Sequence, residues 1–302
     1  MKALLRKTLN VPRYGPVALD DPQELVDVWL EGQGQPKDVT RNNVVAALRP
    51  FTLGIMLDRA VEPNLRLCFR DRASRRLLGV LHLKPAGAIP LAGHCLCLFE
   101  IAGCENYRSS RLHLRWYDLR EEWRAERRQR RNPHNFLMTH QDIRYSHVFY
   151  ICPRPVVLVT VEHEGAGNMF PMDLIGPTDS PWFSMALRLT SPAVDLIRQS
   201  RRLTLASVPF SYKTIAYKLG EHHRKACIDW DSLPFSVKPS PQFHLPVAQA
   251  ALRVREVRVE EFHAVGSHMV FLTTPVSDTP FQASEKQLFH AFYATQCVPG
   301  GT

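Results

Sequence analysis

Glycine is scarce in this chain: 15 glycines stand against 23 prolines in 302 residues, so many connections are expected to be stiff. The glycines form no Gly-x-Ser-x-Gly elbow, P-loop or Gly-x-Gly-x-x-Gly fingerprint. Hydrolase, nucleoside-triphosphatase and Rossmann readings therefore lack support. No stretch approaches the run of roughly 20 apolar residues that crosses a bilayer. After the basic Met1–Lys7, Thr8-Leu9-Asn10 stands where a signal peptide needs its apolar core. A cytoplasmic protein without membrane contact is expected. Seven cysteines make an odd count, which fits reduced thiols packed as small apolar groups better than a disulfide framework. Acidic residues are outnumbered 29 to 38 by Lys and Arg, and the net charge of +9 favours anionic ligands.

With 45% hydrophobic and 22% charged residues, the chain has the composition of a packed globular protein. No internal repeat is evident. Residues 1–140 are expected to form a mixed α/β region. Pro22 to Leu30 reads as a short helix with Asp21 as N-cap and Pro22 at its first position. Leu65–Phe69 and Leu77–Leu83 read as a β-hairpin, and His94–Phe99 as a further strand. From Leu112 to about Arg130 a charged helix is expected, with Leu112, Trp116, Leu119 and Trp123 on one face and Asn132-Pro133 at its end.

Residues 141–302 change character. Pro155–Val161 is an apolar, β-branched run, the mark of a buried strand. Trp182–Leu187 and Leu203–Val208 read as strands flanking a helix from Pro192 to about Arg201. Leu252, Val254, Val257 and Val259 alternate with charged residues but slip at Arg255-Glu256, as a β-bulge would require. His268–Val276 supplies a last strand. The fold class is α+β, mainly β, with a closed or partly closed barrel in the C-terminal half.

The order of these segments resembles the flavin reductase-like family of FMN-binding split β-barrels. The resemblance rests on Pro153–Thr160, on Gly165-Ala166-Gly167-Asn168-Met169-Phe170-Pro171-Met172, and on Asp179-Ser180-Pro181. Leu189-Thr190-Ser191-Pro192 and Gly266-Ser267-His268 complete it. It covers roughly half the chain. It implies FMN as cofactor, NAD(P)H as co-substrate, hydride transfer from nicotinamide to flavin, and a homodimer with the flavin near the subunit contact. It also implies a possible oxygenase or other protein partner. Asn168, Met169, Phe170, Pro171 and Met172 would line the ring site, Arg188, Thr190 and Ser191 would hold the phosphate, and His268 with Ser267 beside it would bind or orient. Asp173 departs from the family, many of whose members carry Ser or Thr there.

Elementary chemistry agrees at one point: Thr190 or Ser191 is the natural N-cap of a helix opening at Pro192, and a helix N-terminus suits a phosphate. The plain alternative is a cap and a solvated Arg188. His268 equally fits a structural role. Strand alternation separates His94 from Cys95 and Cys97, which argues against a metal site. His222-His223 read as exposed polar residues. Glu and Asp interleaved in the basic helix argue against nucleic acid. Two rivals stay open: an FMN-dependent enzyme acting directly on an organic substrate, and a non-catalytic flavin-binding or interaction module.

Overall fold

The computed structural model describes residues 13–21, 25–32, 34–57, 64–91, 93–108, 111–131, 138–179, 181–281 and 285–293. After β1 (Arg13–Leu19) come β2 (Val26–Glu31), β3 (Lys37–Asp38), β4 (Asn43–Leu48), β5 (Phe51–Leu57), β6 (Arg66–Asp71), β7 (Leu77–Leu91) and β8 (His94–Asn106). Two helices follow, α1 (Arg111–Arg131) and α2 (His140–Phe149). Then come β9 (Arg154–Pro155), β10 (Val157–His163), β11 (Ala166–Met172), β12 (Ile175–Asp179) and β13 (Trp182–Arg188). The chain continues through α3 (Ala193–Ser200), β14 (Arg202–Ser207), α4 (Lys213–Leu219) and the short pair β15 (Val237–Pro239) and β16 (Pro246–Ala248). It closes with β17 (Arg253–Val265), β18 (His268–Pro280) and β19 (Gln287–Tyr293). No helix among the described residues is long and apolar enough to cross a membrane.

The expected helix at 22–30 is a strand from Val26 onward; Pro22, the expected first helical residue, lies outside the described residues. Alternation decides it: Val26, Val28 and Leu30 face the core while Asp27 meets Arg75 at 2.9 Å. The expected stop at Asn132-Pro133 also lies outside the described residues, as does Ser180.

A repeat does exist, in topology. The N-terminal sheet runs β3-β2-β6-β7-β8-β5-β4 and the C-terminal one β11-β10-β14-β17-β18-β13-β12. Strand for strand these are one order written twice, with β15 and β16 inserted in the second copy. Each copy centres on a long, bulged antiparallel hairpin with a two-residue tip, where Leu91 pairs with His94 and Val265 with His268. The expected bulge lies between Glu256 and Val257, with a second between Val259 and Glu261, and such bulges curl the sheet into a half-barrel.

The two sheets touch through equivalent strands. β4 packs on β12, on β13 and on β18, and β12 packs reciprocally on β5. This is the contact pattern of a two-fold pair within one chain. One apolar cluster runs through both sheets, joining Leu53, Ile55 and Phe99 to Met185, Leu187 and Phe271. β10 explains its unbroken apolar run: Val157, Val159 and Val161 enter that cluster while Leu158 points into a second one with Val254 and Leu288. β1 pairs with β19, and β19 with β9, so the first and last described strands share a third small sheet.

Candidate functional site

A cavity of about 910 Å³ opens between the C-terminal sheet and helix α2, with Tyr117 of α1 and the end of β4 at its wall. Leu48 enters from β4, Pro171 to Leu174 from the end of β11, Ala186 to Arg188 from β13, and Thr190 to Pro192 from the turn before α3. His223 and Arg224 line it from the turn after α4, and His268 from the start of β18.

That turn, Gly220–Arg224, is sewn to its surroundings by hydrogen bonds. Asn168 Nδ2 donates to the carbonyls of His222 and Lys225 at 3.1 and 2.8 Å. His222 Nδ1 and His223 Nε2 each lie 2.8 Å from the carbonyl oxygens of Met169 and Pro171. Ser191 Oγ donates to the His223 carbonyl at 2.9 Å. The His pair is therefore not a solvated surface feature: His222 is buried and the ring of His223 is tucked beneath β11. Burial also pushes the His223 imidazole's pKa down. What sequence reasoning missed is the backbone route; only the structure puts this turn beside Asn168 and Ser191.

The expected cap is also different. Pro192, not Thr190 or Ser191, occupies the N-cap of α3, and no side chain caps the helix. Ser191 spends its hydroxyl on the turn, and Thr190 is exposed at the cavity rim. Arg188 and Arg224 face the same volume, and burial together with the Arg224 charge holds the Arg188 guanidinium below its ordinary range. Two cations thus line one cavity, near enough for one to act on the other.

Of the residues expected around a ring, Pro171 and Met172 line the cavity. Asn168, Met169 and Phe170 are wholly buried in β11 and do not. Gly165, at φ +81°, makes the turn into that strand. Gly167 is small for another reason: a Cβ there would lie 2.3 Å from the Trp230 ring. Asp173 is held from two sides, accepting from the Tyr150 hydroxyl at 2.9 Å and meeting His290 Nδ1 at 2.7 Å. His290 Nε2 in turn lies 2.6 Å from the Tyr217 hydroxyl. Tyr150 lines the main cavity, whereas Tyr217 and His290 line a smaller one of about 100 Å³, and Asp173 borders both.

His268 is buried, and its pKa falls to about 4 through burial and then the Arg188 charge. Its Nδ1 faces the Ser267 hydroxyl at 2.9 Å and the Leu48 N–H at 3.5 Å, while Ser267 Oγ accepts from the Arg49 N–H at 3.1 Å. With donors directed at Nδ1, the neutral ring carries its proton on Nε2. The C-terminal hairpin tip is thereby fixed to the N-terminal sheet. His147, on another wall, stacks on Phe292 at 4.5 Å, and burial drives its pKa to about 3. Both imidazoles are neutral near pH 7.

No protein-family model matches the sequence, and no curated protein does. Solved structures resemble part of it. An FMN-binding protein from Thermus thermophilus with bound p-hydroxybenzaldehyde is 22% identical over 42% of this chain and 72% of its own, with a TM-score of 0.38. An NADH:FAD oxidoreductase of Streptomyces globisporus is 16% identical over 52% and 93%, with a TM-score of 0.45. The styrene monooxygenase flavin reductase of Pseudomonas putida S12 is 18% identical over 50% and 93%, with a TM-score of 0.40.

Proposed function

We propose that the cavity binds FMN and that the protein is an NAD(P)H-dependent flavin reductase or a close FMN-dependent oxidoreductase. One observation carries this reading: two guanidinium groups, Arg188 and Arg224, line the same cavity as the apolar Leu48, Met172, Leu174 and Ala186. A phosphate needs the first feature and a flat aromatic ring the second. Arg188, Arg224 and the Thr190 hydroxyl would hold the phosphate. Ser191 and Asn168 act one step back, by fixing the turn that carries Arg224. Pro171 to Leu174 would flank the ring, and Asp173, already engaged by Tyr150 and His290, is turned from a repelling charge into part of a wall.

Bound flavin would supply the two-electron acceptor for a nicotinamide hydride. The chain's contribution is positioning and exclusion of water. His268 takes part as a hydrogen-bond donor through Nε2, because a pKa of about 4 leaves it no proton to release as an acid near pH 7. Ser267 holds its tautomer. The homodimer implied by resemblance has a counterpart inside the chain, and we propose that one chain forms one complete site. The N-terminal copy supports this asymmetry: only eight residues, 58–65, join β5 to β6, where thirteen, 189–201, join β13 to β14 and include α3.

A second reading has its own support. The run Tyr150, Asp173, His290 and Tyr217 links the cavity to a half-exposed phenol, a route for protons that hydride exchange between two nucleotides does not require. An enzyme reducing an organic substrate directly would use it. Mixing purified protein with FMN and NADH separates the two. NADH oxidation that tracks added free flavin supports the reductase, with an oxygenase as the natural recipient of its product. A tightly held yellow cofactor with slow NADH turnover supports the direct enzyme or a non-catalytic flavin module. A colourless protein whose melting temperature ignores FMN removes all three.

A further inference from the structure

Helix α1 turns its apolar file away from the rest of the molecule. Its inner side is fixed by Tyr117, whose ring lies 5.0 Å from His147 and 5.4 Å from Phe292, and by Asp118, which meets Arg144 at 3.4 Å. The residues that a sequence pattern would bury point away. Leu112, Trp116, Leu119 and Trp123 are 72%, 75%, 62% and 58% exposed. At roughly 100° per residue the four fall within an arc of about 60°, and Tyr117 and Asp118 lie about 130° from its centre on either side. Two tryptophans and two leucines in one exposed file are a surface awaiting cover.

The shape and charge of the file select the cover. Steps of four, three and four residues make a heptad seam, the geometry that takes the side chains of a second helix. A helix lying in a membrane interface needs an apolar face upward of about 100° wide, which this seam lacks. Arg115 and Arg127 are exposed beside it, and the Arg127 guanidinium lies 5.1 Å over the Trp123 ring. Across Arg111–Arg131 eight arginines stand against four carboxylates. A second copy of this chain would bring two such cationic helices together, whereas an acidic partner would neutralise one.

We propose that the α1 seam docks an amphipathic helix of a partner protein whose flanks are acidic. The proposal is independent of what the cavity binds. The full chain is titrated with two synthetic helical peptides, each with leucine at four-three-four spacing, one flanked by glutamate and the other by lysine. Tryptophan emission and anisotropy are followed. The glutamate peptide should shift emission to the blue and bind at least tenfold more tightly, weakening as salt rises. W116A combined with W123A should abolish binding while near-ultraviolet circular dichroism outside the tryptophan bands and the melting temperature hold, since both rings are exposed. Leu112→Ser with Leu119→Ser provides a second variant that keeps the reporters. Equal affinity for both peptides overturns the proposal. So does a self-dimer in sedimentation that W116A and W123A dissolve, or a response confined to phosphatidylglycerol vesicles.

Discussion

Replacing Arg188 with methionine removes one of the two guanidinium groups that line the cavity and keeps most of the aliphatic stem. A hydrogen bond to a charged group contributes about 1.5–3 kcal/mol, so the Kd for FMN should rise roughly 10- to 150-fold. Riboflavin, which lacks the phosphate, should change by less than about threefold, an energy under roughly 0.7 kcal/mol. In the ligand-free protein Arg224 and burial together disfavour the charge on Arg188, and a thermal melt reads what its removal does to the fold. The histidine beside it reports a third way: His268 owes part of its lowered pKa to Arg188, and in the variant that pKa should climb from about 4. Calorimetric titration with both flavins, thermal melts without ligand and imidazole titration by NMR give the three readings. Equal loss of FMN and riboflavin would refute the phosphate assignment. A melt lowered by several degrees would show instead that Arg188 holds the fold.

Asn168→Ala should cost about 1–3 kcal/mol in urea unfolding, because one buried and one partly buried carbonyl lose their donor, and should weaken FMN more than riboflavin by loosening the turn that carries Arg224. Gly167→Ala sets a Cβ against the Trp230 ring and should cost about 1–3 kcal/mol; adding Trp230→Ala should recover part of that loss, and strictly additive costs would contradict the clash. Acid should destabilise the protein in a defined window. His268 and His147 have folded-state pKa values of about 4 and about 3, below the usual 6.5 of an unfolded chain, so the unfolded state takes up protons first. Their contribution is complete above about pH 6.5 and is lost as pH falls through 4 toward 3, and His268→Gln should flatten the upper part of that slope. Titration by absorbance should saturate at one FMN per chain; two would mean that the N-terminal copy also holds a site.

Strands were legible wherever one period governed the residues. β10, β13, β14, β17 and β18 follow from alternation or from unbroken β-branched runs, and the slip at Arg255-Glu256 announced its bulge to within a residue. Val26–Glu31 was misread because Asp21-Pro22 is an effective helix opening by itself, and pairing with β6 outweighs that local signal. The repeated strand order left no trace in residue identity, since a hydrogen-bond ladder is made by the backbone and accepts many side chains. The cavity's pair of cations was half visible: Arg188 stood in the right segment, but Arg224 lies 36 positions on and reaches it only through the bonds of Asn168, Ser191 and the His pair. The exposed seam of α1 was invisible for a simpler reason. Period reveals which side of a helix is apolar, and nothing local says which side turns inward.

The bond from the Arg49 N–H to Ser267, and that from the Ser267 N–H back to the Arg49 carbonyl at 2.9 Å, staple one half-barrel to the other. In an assembly of separate subunits such a staple would open on dilution, and the cavity wall would leave with it. Here the covalent chain keeps the two halves at a high effective concentration whatever the amount of protein. Ligand affinity should therefore be indifferent to protein concentration down to the nanomolar range. Each half is also at liberty to accept substitutions that a symmetrical pair would have to suffer twice.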